Sequence, residues 1–175
     1  MNKFNVQQIA LFIAFGITTV FFAAYIEQVT LIIIQLSLDP IVNNFDLEVY
    51  QLLLKLILSA VIAPSVEEVS KIFPVIVYFR DEDIGENEFL GYSLISALGF
   101  SLVENVMYAL RGDAGFSLVM LIRFSISTPM HLIATFLTAY FYYRVTFLKK
   151  GNGLLIGLGM LVHGIFNGVI VLLSV

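Results

Sequence analysis

A bundle of about five transmembrane α-helices is the fold class that this sequence predicts. Three observations predict it. Hydrophobic residues make up 59% of the 175, and charged residues only 13%. The apolar residues gather into five runs, each long enough for the roughly 20 residues a helix needs to cross the hydrocarbon layer. The polar breaks between runs are short, so each helix must turn back against its predecessor.

The first run, 6–36, is too long for the core of a secretion signal and lacks a small-x-small cleavage pattern, so it reads as a retained span. A polar break from Asp39-Pro40 to Asp46 separates it from the second run, 48–79, which contains Pro64 and Pro74. Each proline removes an N–H and frees a carbonyl one turn earlier, and a break or kink is expected near Pro64. Such breaks are tolerated where water or side chains satisfy the freed groups, which points to a wet cavity, although prolines are also common in membrane helices. Arg80 to Glu88 form the next break, its acids Asp81, Glu82, Asp83, Glu86 and Glu88 reading as a solvated turn. The third run, 88–110, carries the small residues Ser93, Ser96, Ala97 and Gly99, and ends at Arg111-Gly112-Asp113. The fourth, 115–145, contains Pro129; the fifth, 153–174, follows Lys149 to Gly153 and carries Gly153/Gly157 and Gly164/Gly168. These small-residue spacings predict close helix packing. One transmembrane domain, 1–175, accounts for the whole chain.

Orientation follows from lysine and arginine, which are retained on the cytoplasmic side. With the N-terminus inside, Lys3, Arg80, Arg144, Lys149 and Lys150 are cytoplasmic and only Arg111 is outside. The expectation is N-inside and C-outside, in the plasma membrane of a prokaryote.

Ionisable side chains at mid-membrane depth are costly and by default face the bundle interior. Here they cluster: Glu67, Glu68 and Lys71 in span two, Glu104 and Asn105 in span three, His131 in span four, His163 and Asn167 in span five. At 1.5 Å per residue from each cytoplasmic end, Glu67, Glu104, His131, His163 and Asn167 lie about 20, 24, 20, 15 and 21 Å deep. Four helices thus deliver carboxylates, imidazoles and an amide to one layer. Glu67/Lys71 and His163/Asn167 are spaced i,i+4 and share helix faces. Glu27 and Lys55 fall near the outer ends of their spans, where water or snorkelling accommodates them. Arg123, about two turns into span four, is expected to pair with Glu104 or a neighbouring acid.

Absences narrow the chemistry. Asp39, Asp46, Asp81, Asp83 and Asp113 all fall in loops, so no aspartyl dyad can form in the membrane. There is no cysteine, no Gly-x-Ser-Gly and no His-Glu-x-x-His. Glutamate and histidine remain. A buried glutamate can take a proton from water, an imidazole can share it, and an amide N–H can hold an oxyanion. The same side chains could ligate Zn²⁺. Residue types alone leave open a proton- or ion-coupled transporter or channel using the cluster as a relay, and a non-catalytic scaffold.

Ala63-Pro64-Ser65-Val66-Glu67-Glu68-Val69-Ser70-Lys71 resembles the E-E-x-x-K signature of the PrsW intramembrane proteases. Phe100 to Asn105 resembles their F-x-x-x-E-N segment, Pro129-Met130-His131 their third element, and His163 to Asn167 their H-x-x-x-N ending. That family is similar in turn to the CAAX prenyl endopeptidases and bacteriocin-processing proteases, whose second motif has a histidine where this chain has Glu104. The resemblance implies an intramembrane peptidase of membrane-anchored proteins or peptides, anti-sigma factors in bacterial members, with lipid as its surroundings and no nucleic acid as partner. Members often carry further spans, so the chain reads as a minimal core. The expected catalytic set is Glu67 or Glu68 to activate water, His131 or His163 to share the proton, Glu104 to orient water or metal, and Asn167 at the oxyanion. A zinc ion, if used, is expected on Glu68, Glu104, His131 and His163. Exchanging Glu67 or Glu68 for glutamine is expected to lower cleavage by at least about 10²–10⁴-fold while thermal stability holds or improves.

Overall fold

The computed structural model describes residues 5–38, 46–80, 82–111 and 116–173. Lys3, Asp39, Pro40, Asp81, Gly112 and Asp113 lie outside them, as do the outermost residues of the expected spans 115–145 and 153–174. Among the described residues the regular structure is entirely helical: α1 (Val6–Leu38), α2 (Leu47–Ile57), α3 (Ala63–Tyr78), α4 (Glu86–Arg111), α5 (Phe116–Ile122), α6 (Thr128–Thr146) and α7 (Gly157–Leu173). Five continuous stretches are long and apolar enough to cross a membrane: Val6–Leu38, Leu47–Tyr78, Glu86–Leu110, Met120–Thr146 and Gly153–Leu173. Phe22, Phe73, Leu121, Phe136 and Leu161 are exposed along them, as befits a surface whose solvent is lipid.

Two of these spans are interrupted in the same way. A π turn, Leu58–Ile62, joins α2 to α3, and another, Arg123–Ser127, joins α5 to α6. Each stands immediately before an X-Pro pair, Ala63-Pro64 or Thr128-Pro129. Proline cannot donate to the carbonyl four residues back and its ring crowds that carbonyl, so the chain takes one extra residue into the turn. Ala63 N–H then reaches Leu58 O, and Thr128 N–H reaches Arg123 O. The break expected at Pro64 therefore takes the form of a wider turn, and the extra residue shifts the helix phase by about 100°.

Close packing sets the helix order. A Cβ at Gly16 of α1 would overlap the Ser96 carbonyl of α4, and one at Gly99 would meet the Ile13 carbonyl, so these two helices touch through backbone. On the far side Gly159 of α7 lies against Ala134 and Thr138 of α6, and Gly164 lies against the Ala60 carbonyl. Ala60 is the residue whose i+4 partner is Pro64, so the carbonyl freed by proline is covered by a glycine. Gly164 and Gly168 both pack, as their spacing predicts, but Gly153 and Gly157 face open space: Gly153 begins a 3₁₀ turn, Gly153–Ile156, capped by Asn152. The contact on that helix belongs to Gly159 instead.

One end of the bundle is closed by rings. Phe12 stacks on Phe79 at 5.9 Å and on Tyr92 at 4.8 Å, while Phe89 lies 5.6 Å from Tyr143. The phenols end in hydrogen bonds, Tyr92 to Gln8 Oε1 at 2.6 Å and Tyr143 to Ile84 O at 2.8 Å.

Candidate active site

Beyond the rings, a polar layer is built from α3, α4, α6 and α7. On α3, Glu68 and Lys71 share a face at i,i+3, and Glu67 and Lys71 at i,i+4. Lys71 is fully buried; its Nζ lies 2.7 Å from Glu68 Oε1, 3.2 Å from Glu67 Oε2 and 2.8 Å from His131 Nδ1, over the Phe100 ring. An ammonium donates only, so His131 Nδ1 accepts and the ring proton sits on Nε2. That proton is donated to Glu104 Oε2 at 2.7 Å.

The two adjacent glutamates have different surroundings. Glu68 is saturated: Oε1 accepts from Lys71 and, at 2.8 Å, from His163 Nδ1, while Oε2 accepts from the Thr135 hydroxyl at 2.6 Å. Glu67 lines a cavity of about 240 Å³ that Glu68 does not reach. Its Oε2 lies 3.8 Å from His131 Nδ1 and 3.8 Å from His163 Nε2. The sequence offered no ground for choosing between them, because adjacent residues on one helix differ only in phase.

His163 is the one ring with a bare nitrogen. With its Nδ1 proton committed to Glu68, Nε2 keeps its lone pair, is buried and has no hydrogen-bond partner. The other unpartnered buried side-chain atoms among the described residues are hydroxyls, of Ser96 and Thr138, at the backbone contacts with Gly16 and Gly159. Glu67, His131 and His163 each offer a donor atom, and these donors lie within 4.8 Å of one another. A carboxylate oxygen and two neutral imidazoles suit a tetrahedral divalent ion, and carboxylates behind the rings, Glu68 on His163 and Glu104 on His131, are what metal-binding histidines ordinarily have. The residues fit a metal with one condition: the His131 lone pair is now engaged by Lys71. The expected metal set has Glu68 and Glu104 in place of Glu67; both meet the histidines through the opposite ring nitrogens.

Arg123, in the second π turn, makes the expected pair with Glu104, Nη2 to Oε2 at 3.3 Å. It is fixed further by Asn105 Oδ1 at 3.0 Å and by the Tyr108 ring 3.7 Å away. Asn105 in turn donates to Thr128 Oγ1 at 2.9 Å. Asn167, half-buried on α7, lines the cavity one turn after His163. Glu27 does so as well, from α1. The cavity lining adds to the expectation for Glu27, which placed it near the outer end of its span. Its phase gave the signal: Val20, Ala23 and Glu27 follow each other at i, i+3 and i+7 on one face, and the first two are buried.

A model of the PrsW family of intramembrane metalloproteases matches residues 6–175, nearly the whole chain. The chain belongs to that family, and with it is an integral membrane peptidase acting on membrane-embedded or membrane-anchored polypeptide. No curated protein and no solved structure matches it.

Proposed function

We propose that this PrsW-family protein hydrolyses a peptide bond of a membrane-anchored substrate at Glu67, in the cavity that all five spans line. The observation that carries this reading is the division between the two adjacent glutamates: of Glu67 and Glu68, Glu67 alone lines the cavity, and its Oε1 has no donor among the described residues. Water attacks the scissile carbonyl carbon as Glu67 takes its proton. The carbonyl oxygen gains the charge and is held by the Asn167 amide N–H. The proton then passes from Glu67 to the departing nitrogen as the C–N bond breaks, leaving a carboxylic acid and an amine; the acid's proton moves to the amine, giving carboxylate and ammonium.

Glu67 Oε2, His131 Nδ1 and His163 Nε2 would hold a zinc ion, which when bound supplies Lewis acidity and acidifies the attacking water. Glu68 and Glu104 act through the rings: Glu68 fixes the His163 tautomer, and Glu104, itself held by Arg123, fixes that of His131. Transport through the cluster and a purely non-catalytic role are not favoured by membership of a protease family. α1 and α7 both line the cavity without approaching each other, which supports access for a substrate segment from the lipid. The distribution of lysine and arginine supports a cytoplasmic N-terminus, and the reading adopted is a prokaryotic plasma membrane.

The deciding experiment is cleavage of a single-span peptide by purified protein in lipid, with Glu67→Gln as control. Cleavage that survives in Glu67→Gln at the wild-type rate per folded molecule removes this reading. Labelling of Lys150→Cys from one side only tests the orientation; reaction solely from outside reverses it.

A further inference from the structure

One acid of the cavity has no part in this chemistry. Glu27 lines the wall with Glu67, Glu104 and Arg123, half-buried within a membrane span. The other charges there are matched: Arg123 pairs with Glu104, and Lys71 with Glu67 and Glu68. Glu27 has no hydrogen bond or ion pair among the described residues. Arg123 borders the same cavity, but Glu104, Asn105 and the Tyr108 ring hold it. The cavity wall that Glu27 shares also carries apolar residues, Ala23 and Ala24 on its own helix and Met107, Ile170 and Val171 from α4 and α7.

A lone carboxylate in such a wall is costly, and a cation beside it offsets that cost. A lysine or arginine side chain supplies an alkyl stem for the apolar lining and a cationic head for the acid. The zinc donors lie elsewhere: Glu27 is not among the group of carboxylate and imidazole atoms that converge on Glu67. We propose that Glu27 is a specificity-determining residue, receiving a basic side chain of the substrate beside the scissile bond. This rests on the peptidase reading of Glu67 and adds the substrate class: membrane-anchored polypeptides with lysine or arginine near the cut.

The test uses the full chain in lipid nanodiscs and fluorescent single-span peptides that carry lysine, methionine or glutamate in turn at successive positions along the segment. Binding is measured by polarisation in a Glu67→Gln background, and kcat/KM in the active protein. Lysine at one position is expected to improve binding and kcat/KM at least about tenfold over methionine. Glu27→Gln should abolish that preference while methionine peptides are handled as before, and Glu27→Lys should transfer it to glutamate. An unchanged lysine preference in Glu27→Gln overturns the proposal, as does an equal fall for every peptide, which would place Glu27 in the fold or the chemistry. Loss of the Glu27 effect when phosphatidylethanolamine is replaced by phosphatidylglycerol would make the occupant a lipid amine, and overturns it too. Because binding is read without cleavage, a peptide preference with no cleavage would fail the Glu67 reading alone, and cleavage with no preference would fail this one alone.

Discussion

At one end of the bundle Phe12, Phe79, Phe89, Tyr92 and Tyr143 fill the space between helices with rings; two to three turns along α3 and α6, Glu68, Lys71 and Thr135, with His163 from α7, fill it with charges and hydrogen bonds. The ring end is held by contact area and tolerates small shifts, since dispersion is non-directional and its few polar atoms are phenol tips with their own partners. The polar layer has no such tolerance. Each of its hydrogen bonds fixes a tautomer or a rotamer, and an unmatched group in lipid costs several kcal/mol. Chemistry is left to the group that the directed network does not use, the His163 Nε2 lone pair beside Glu67.

Glu67→Gln should lower cleavage by about 10²–10⁴-fold, the usual loss with a general base, while the melting temperature in detergent holds. A variant that melts early but cleaves normally per folded molecule would move Glu67 to the structural side. Glu68→Gln should behave differently despite being the neighbouring residue. It weakens three hydrogen bonds at once and leaves Lys71 with one carboxylate, so stability should fall by roughly 3 kcal/mol. Equal stability of the two glutamine variants, read from thermal melts, would contradict the division drawn between them.

Phe12→Ala at the ring end should cost about 3 kcal/mol through the cavity it leaves, with kcat per folded molecule unchanged; a specific loss of kcat would show the two regions to be coupled. Zinc at 100 times its dissociation constant should stabilise the wild type by about 2.7 kcal/mol. His163→Ala should lose most of that shift, and a chelator should remove it; no shift in either protein would exclude a resident divalent ion. Lys71→Met tests the shared lone pair from the other side. It frees His131 Nδ1, so zinc should bind the variant more tightly in calorimetry, whereas weaker binding would mean that Lys71 supports the ion. Smallest is Tyr143→Phe, which removes one hydrogen bond to Ile84 O and should cost about 1 kcal/mol with no effect on activity.

Much of this was legible in the residues alone. Apolar runs longer than a bilayer requires fix five spans, because lipid leaves the backbone no alternative to the helix. Charged and amide side chains within those runs had to face one another, because no other neighbour in hydrocarbon accepts them. The pairing of Arg123 with Glu104 and the break ahead of Pro64 follow from the same two constraints. Helix phase and helix approach were fixed by packing. The π turn ahead of α3 enters the phase of that helix, on which Glu67 meets the cavity while Glu68 is enclosed, and the one ahead of α6 does the same for His131. Glycine contacts at Gly16, Gly99 and Gly159, not at Gly153 or Gly157, choose which helices are neighbours. Glu27 joins the cavity because α1 packs on α4 at that level. Composition sets how deep a side chain lies, but a rotation of about 100° per residue means that direction is fixed only when the neighbouring helices are in place.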